Sequence, residues 1–257
     1  VNARFGIDSP FRHALSKGVY MGIPRPEEHK SLLVFDLGEH DDVITLVPWG
    51  PISLWGPTET TMQDISEGIS ASRQDIDFLL EHYRRRFRRP LRAEDIVSLR
   101  CGIRPLVVNA GYRSNRYPLE LSRRQEVIQD ADRPWISCYG GKLTGCSRMA
   151  SKVLKMLEKS VPAIARPWML ESPPDQPMEI TKFPGLAEPV VSATWSARHE
   201  SCRTLDDYLR RRTNIAQWIP HGGFGKGNAN ADVLKQLALD IAGGDKVRAE
   251  KMFSEYR

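Results

Sequence analysis

The chain has 257 residues, enough for one large domain or two modest ones with real cores. Its 40% hydrophobic and 27% charged residues are ordinary for a soluble globular protein, and no run approaches the ~18 apolar residues that a membrane-spanning helix needs. A net charge of +5 suits an anionic small molecule, a membrane surface or a nucleic acid, and decides between none of them.

The opening VNARFGIDSP lacks a basic segment followed by an apolar one, so no secretory signal is read. It begins on Val1, and VNA reads as the end of a strand already under way; an excised piece of a longer protein is the expectation. LSKGVYMGI, SLLVFDL, VITLVPW and ISLWGPT follow as short strands rich in aliphatic and aromatic residues. Between them, PRPEEHK and GEHDD read as hairpin connections of an antiparallel sheet.

From Ser72 the period changes. Ile76, Leu79, Leu80, Tyr83 and Phe87 recur at three- and four-residue spacing, which predicts an amphipathic helix ending before Pro90. Its other face carries Arg84, Arg85, Arg86, Arg88 and Arg89, either a solvated face or a contact for phosphate or lipid headgroups. DIVSLRCGIRPLVV, LSRRQEVIQD and PWISCYGG predict three more strands, with NAGYRSNRYP as a loop. Met149, Val153, Met156 and Leu157 predict a helix over 147–159.

A Pro-rich stretch then reads as linker or extended segment. In the tail, Thr204 and Asp207 are placed to cap a helix through TLDDYLRRRTNIAQW, and two further helices are split at Gly243-Gly244. The division expected is 1–160, 161–198 and 199–257. The fold class is α+β: a mostly antiparallel sheet flanked by helices, followed by a small helical domain.

Four cysteines, Cys101, Cys138, Cys146 and Cys202, form no CxxC pair, so free thiols in the cytoplasm are expected and no metal. HGGFGKGN lacks the spacing and the preceding strand of a phosphate loop and reads as a connection between helices. Arginines spread over several elements, without a patch of interleaved aromatics, argue against a nucleic-acid partner. Arg104 is of more interest, because it stands among Ile103, Leu106, Val107 and Val108. A guanidinium there must be paired, by an internal carboxylate or by an anionic ligand. Arg123, in Ser122-Arg123-Arg124, and Lys142, after Gly140-Gly141, are two more cations near strand ends that could converge with it on one phosphate.

VPWGPISLWGPTET, DFLLEHYRRRF, DIVSLRCGIRPLV, SRRQ, CYGGKLTGCSRMA and HESCRTLDDYLRRRTNIAQW together resemble, in the same order, the FAD-dependent glycerol-3-phosphate dehydrogenases of the glycine/D-amino-acid oxidase-like flavoprotein superfamily. The resemblance implies the C-terminal portion of such an enzyme, with the main FAD-binding segment upstream of Val1 and the piece alone inactive. It implies oxidation of sn-glycerol 3-phosphate to dihydroxyacetone phosphate by hydride transfer to flavin. Quinone would be the acceptor, with cytoplasmic location, peripheral contact at the inner membrane face and a homodimer left open. Arg104, Arg123 and Lys142 match substrate-binding positions, and Lys142, Arg104 and Tyr20 take the catalytic positions. Gly140, Gly141, Lys142, Leu143 and Thr144 match the segment that meets the flavin.

The chain departs from the pattern at several places, among them the NARFG segment, where the glycine of NATG is not clear, and a C-terminal domain that reads as shorter. Tyr20 stands where KGxH has histidine, and a phenol donates a hydrogen bond but is a poor base near neutral pH. GGKLTGCS replaces GGKLTTYR, and the acid of GTTD-like sequences is Glu59. A relative acting on another phosphorylated polyol or an amino acid, and a non-catalytic binding domain derived from a flavoprotein, are the alternatives.

Overall fold

The protein is described by a computed structural model covering residues 2–38, 43–65, 69–112, 124–158 and 177–257. The first half is built around one long strand. β1 (Phe11–Pro24) pairs antiparallel along most of its length with β6 (Ser98–Asn109) on one side. On the other side it meets β4 (Ile52–Gly56) with residues 21–24 and β5 (Thr60–Met62) with residues 15–17. β3 (Val43–Trp49) extends the sheet from β4, and β2 (Leu33–Asp36) closes it. Pro105, which has no N–H to donate, lies on β6, where the strand has β1 as its paired neighbour in the sheet.

The sheet and its strands follow the sequence reading, with one correction to its connections. GEHDD does join paired neighbours, β2 and β3, although 39–42 are outside the described residues. PRPEEHK does not, because β1 pairs with β4, so this segment crosses from β1 to the far edge of the sheet.

Alternation along β1 decides what each face does. Val19, Met21 and Ile23 point to one side, where Ile44, Leu46 and Trp55 of β3 and β4 join them. α1 (Arg73–Arg86) covers that side with Leu79, Leu80 and Tyr83, and the Trp55 indole donates to the Leu79 carbonyl at 2.8 Å. Ser72 caps α1 in a reciprocal capping box with Asp75. At the other end Phe87 turns extended and ends the helix, three residues ahead of Pro90. Arg85 pairs with Glu81 on the same helix, and Arg73 with Asp77.

A separate ribbon, β7 (Gln125–Gln129) with β8 (Ile136–Gly140), packs beside β6 and leads into α2 (Cys146–Leu157). None of the residues of α2 is fully buried; Met149, Val153 and Met156, on the apolar stripe that predicts the helix, are half-buried, and the helix lies beside β7.

The third region has its own core. Tyr208, Leu205, Leu209, Ile215 and Leu234 are fully buried there, beside residues of α5 (Ala231–Ile241) and α6 (Lys246–Tyr256). Two expectations are corrected. The described part of the Pro-rich stretch is not merely extended: Phe183 is buried in this core, β9 (Ile180–Thr181) pairs with β10 (Val190–Val191), and α3 (Ala193–His199) starts on a Ser192 cap. TLDDYLRRRTNIAQW is not one helix. A π-helical turn over Asp207–Arg212 ends where Thr213 becomes extended, its N–H and hydroxyl both bonded to the Tyr208 carbonyl. α4 (Ile215–Trp218) then starts afresh. The Thr204–Asp207 capping pair is present as expected.

Candidate functional site

The side of β1 away from α1 carries the residues of interest. In register, Ser16 faces Arg104, Gly18 faces Gly102, and Tyr20 faces Arg100. These six share one face because side chains alternate along each strand. Arg104 Nη1 donates to Glu59 Oε2 at 2.7 Å, and the buried Ser16 hydroxyl donates to the other Glu59 oxygen. The Glu59 side chain is 7% exposed and that of Arg104 27%, so the carboxylate is held inside while the guanidinium reaches the opening. A buried carboxylate needs such partners. The guanidinium has five N–H donors, and the Glu59 bond uses Nη1; donors remain for an anion.

Gly18 makes room for this arrangement. A Cβ there would stand 2.4 Å from Arg104 Nη1 and 2.8 Å from the guanidinium carbon. Around them opens a cleft of about 430 Å³ whose walls include Tyr20, Val47, Leu54 and Arg100. Arg100 lies 4.6 Å over the Trp49 ring, and Trp218 of α4 meets Trp49 edge-on at 5.8 Å. The Ser98 hydroxyl donates to the Gln217 carbonyl at 2.7 Å, so α4 closes one end of this face.

On the opposite face, one residue along, Lys17 is buried and bonded to Asp75 Oδ2 at 2.6 Å. Thr58 and Ser72 also donate to Asp75. Burial works to raise the Asp75 carboxyl, but hydrogen bonds from Lys17 and Ser72, with the Lys17 charge, outweigh it and hold the group below the usual carboxylate range.

Lys142 stands elsewhere. With Thr144 it lines a second cleft, of about 540 Å³, together with Arg124, Gln125, Gly145, Arg148 and Lys152. The convergence of Arg104, Arg123 and Lys142 on one phosphate is therefore corrected: Arg104 and Lys142 open onto different clefts, on β6 and after β8, and Arg123 lies outside the described residues. Gly140 and Gly141 have φ of +60° and +93°, which glycine adopts without strain. The space where a Cβ would sit is filled from within the chain, at Gly140 by Val107 and the Arg124 carbonyl, at Gly141 by Met149 and Gln125. What the segment leaves open is Lys142, Leu143 and Thr144, with Leu143 89% exposed. The Gly140 amide donates to His13 Nε2 at 3.3 Å, which puts the imidazole proton on Nδ1, and burial pushes this group down from its ordinary value.

The residues that sequence reasoning missed are Arg100 in the first cleft, the buried Ser16 that holds Glu59, and the Lys17–Asp75 pair behind it. The signal was present in SKGVY and RCGIR: taken at period two, they place Ser16 and Tyr20, and Arg100 and Arg104, on one face with a glycine between.

A β-sheet with this helical cover matches a solved flavoprotein fold. The chain superimposes with a TM-score of 0.63 on the glycerol-3-phosphate dehydrogenase of Bacillus halodurans solved in complex with FAD, over 96% of this chain and 56% of that one, at 16% identity. In sequence the chain is similar to the aerobic glycerol-3-phosphate dehydrogenase of Escherichia coli K12, 26% identical over 170 residues, covering 65% of this chain and 33% of the relative. It is also similar to the D-erythritol 1-phosphate dehydrogenase of Brucella abortus, 26% identical over 136 residues, covering 52% of this chain and 27% of the relative. No family model matches. The chain is thus similar to FAD-dependent glycerol-3-phosphate dehydrogenases, and it spans about a third of the length of the two relatives matched in sequence and 56% of the solved one.

Proposed function

We propose that this chain forms the substrate side of a FAD-dependent oxidoreductase that oxidises a phosphorylated polyol, with sn-glycerol 3-phosphate as the first candidate and dihydroxyacetone phosphate as product. One observation carries the reading: Arg104, fixed over Gly18 by Glu59, opens into a cleft beside Tyr20 in a chain similar to polyol-phosphate dehydrogenases. Arg104 binds the anionic substrate through donors not used by Glu59. Tyr20 orients the substrate by hydrogen bonding. Arg100, stacked on Trp49, supplies a second cation at the far end of the same cleft.

The open ledge Lys142–Thr144 fits the edge of a flat ring system, and these residues with the Gly140–Gly141 turn would hold the flavin end of FAD. FAD, when bound, supplies the hydride acceptor. The rest of its binding site belongs to the part of the relatives that this chain does not span. The same reading takes quinone as electron acceptor and places the protein in the cytoplasm, at the membrane face; among the described residues no helix is long and apolar enough to cross a membrane.

A second reading, oxidation of a longer phosphorylated polyol such as D-erythritol 1-phosphate, is favoured by the similarity to the Brucella abortus enzyme. The test is the complete gene product with both substrates: flavin absorbance bleached by glycerol 3-phosphate supports the first, bleaching by the four-carbon ester alone supports the second, and a flavoprotein bleached by neither overturns the proposal.

A further inference from the structure

The Arg104 cleft holds a second cation, and the two are not equivalent. Glu59 already neutralises Arg104, although donors of the guanidinium stay open. Arg100 has no carboxylate partner among the described residues; its guanidinium lies over the Trp49 ring at 4.6 Å. No acid lines the cleft. The positive charge left uncompensated there is that of Arg100.

The two guanidinium groups do not converge. Arg100 and Arg104 are four residues apart on one face of β6, which separates their Cα atoms by roughly 13 Å. Trp49 lies beyond Arg100 on the side away from Arg104. Arg104 faces Ser16 and Arg100 faces Tyr20, whereas Trp49 faces Ile52, which itself faces Pro24. Stacking on Trp49 therefore draws Arg100 away from Arg104. The ring is backed in turn by Trp218, which lies over Gly50, where a Cβ would stand 2.5 Å from the indole. One phosphate is too small to meet both cations.

Building on the substrate-side reading of this cleft, we infer that its substrate is a phosphorylated polyol acid, with the phosphate on Arg104 and a carboxylate at the far end of the same carbon chain on Arg100. Arg100 is then the residue that sets specificity. A carboxylate matches the guanidinium fork with two charge-assisted hydrogen bonds, whereas a terminal hydroxyl leaves the charge unmatched. The redox step is that of the neutral polyol. The CHOH beside the phosphate-bearing carbon becomes C=O, its hydride passing to the flavin and its hydroxyl proton to solvent; the carboxylate takes no part.

The test compares three esters on the complete gene product, followed by bleaching of flavin absorbance. They are sn-glycerol 3-phosphate, an erythritol phosphate, and the erythronate 4-phosphate of the same configuration, in which a carboxylate replaces the far hydroxymethyl group. The ratio of kcat/KM, acid ester over erythritol ester, is expected to be about ten or more in the wild type and to fall about ten-fold in Arg100→Gln. Arg100→Lys, which keeps the charge and loses the fork, should fall between them. Arg100 is exposed, and circular dichroism checks that each variant keeps the fold. A wild type that favours the erythritol ester, or a ratio unchanged in Arg100→Gln, overturns the inference. A flavoprotein bleached by none of the three overturns the oxidoreductase reading instead, and calorimetric titration with the same esters then decides the inference on binding alone. Tighter binding of the acid ester, weakened in Arg100→Gln, sustains it, and equal affinities for acid and erythritol esters overturn it.

Discussion

Lys17 and Arg104 are both cations bonded to a carboxylate that is almost wholly buried, and both belong to the β1–β6 pair. They differ in which face they occupy. Lys17, 10% exposed, is sealed between sheet and α1, and Asp75 is surrounded by further donors from Thr58 and Ser72. Arg104, 27% exposed, lies over a glycine at the edge of an open cleft, with its carboxylate partner behind it. The first geometry leaves nothing for a ligand to gain. In the second, the carboxylate fixes one side of the guanidinium and leaves the other to meet an anion. The paired strands β1 and β6 thus carry a structural ion pair and a proposed binding ion pair one register step apart, on opposite faces.

Breaking the sealed pair should cost the most. Asp75→Asn leaves Lys17 buried without a counter-charge, and the unfolding free energy from urea denaturation is expected to fall by about 3 kcal/mol. In the complete enzyme the KM for substrate should stay unchanged, because Asp75 is on the wrong face; a large KM effect with little loss of stability would reverse the comparison.

Arg104→Lys tests the open pair. It keeps the charge but loses the planar fork, so kcat/KM of the complete enzyme is expected to fall about 30-fold, some 2 kcal/mol. The stability change measured by the same denaturation should stay under about 1 kcal/mol, since the site is partly solvated.

Gly18→Ala sharpens the role assigned to the glycine. The atoms in its way are the far end of a flexible side chain, so the fold should survive with a loss below about 1 kcal/mol. The guanidinium must move, and KM should rise about ten-fold, equivalent to about 1.4 kcal/mol. An unchanged KM would show that the position of the guanidinium over β1 is irrelevant to binding.

The smallest effect is in pH. The Asp75 carboxyl is held below its unfolded value, so the stability it contributes is fully present above about pH 4 and is lost as pH falls through the lowered folded value. Acid titration of unfolding should show this loss in the wild type and not in Asp75→Asn.

Periodicity made most of the sheet and α1 legible. The run Leu79, Leu80, Tyr83 is the buried stripe of α1, and the strands of VITLVPW and ISLWGPT fall where their composition puts them. Connectivity was not legible, because nothing in PRPEEHK says that β1 will pair with β4 rather than β2. Nor was the break at Thr213, where a threonine bonding back to Tyr208 ends a stretch whose apolar spacing continues into α4. At the candidate site, the sequence flagged Arg104 as a charge needing a partner but not which one. Glu59 is 45 residues away along the chain, and only the β1–β5 and β1–β6 pairings bring the two together. Lys142 shows the converse: a motif read beside Arg104 opens onto another cleft, because β7 and β8 form their own ribbon.

The most direct measurement is anaerobic reduction of the complete gene product by sn-glycerol 3-phosphate, followed through flavin absorbance, in the wild type and in Arg104→Lys. The account predicts bleaching in the wild type and the same bleaching at much higher substrate concentration in the variant. A flavoprotein that bleaches equally well with and without Arg104 would contradict the assignment of this cleft to the substrate.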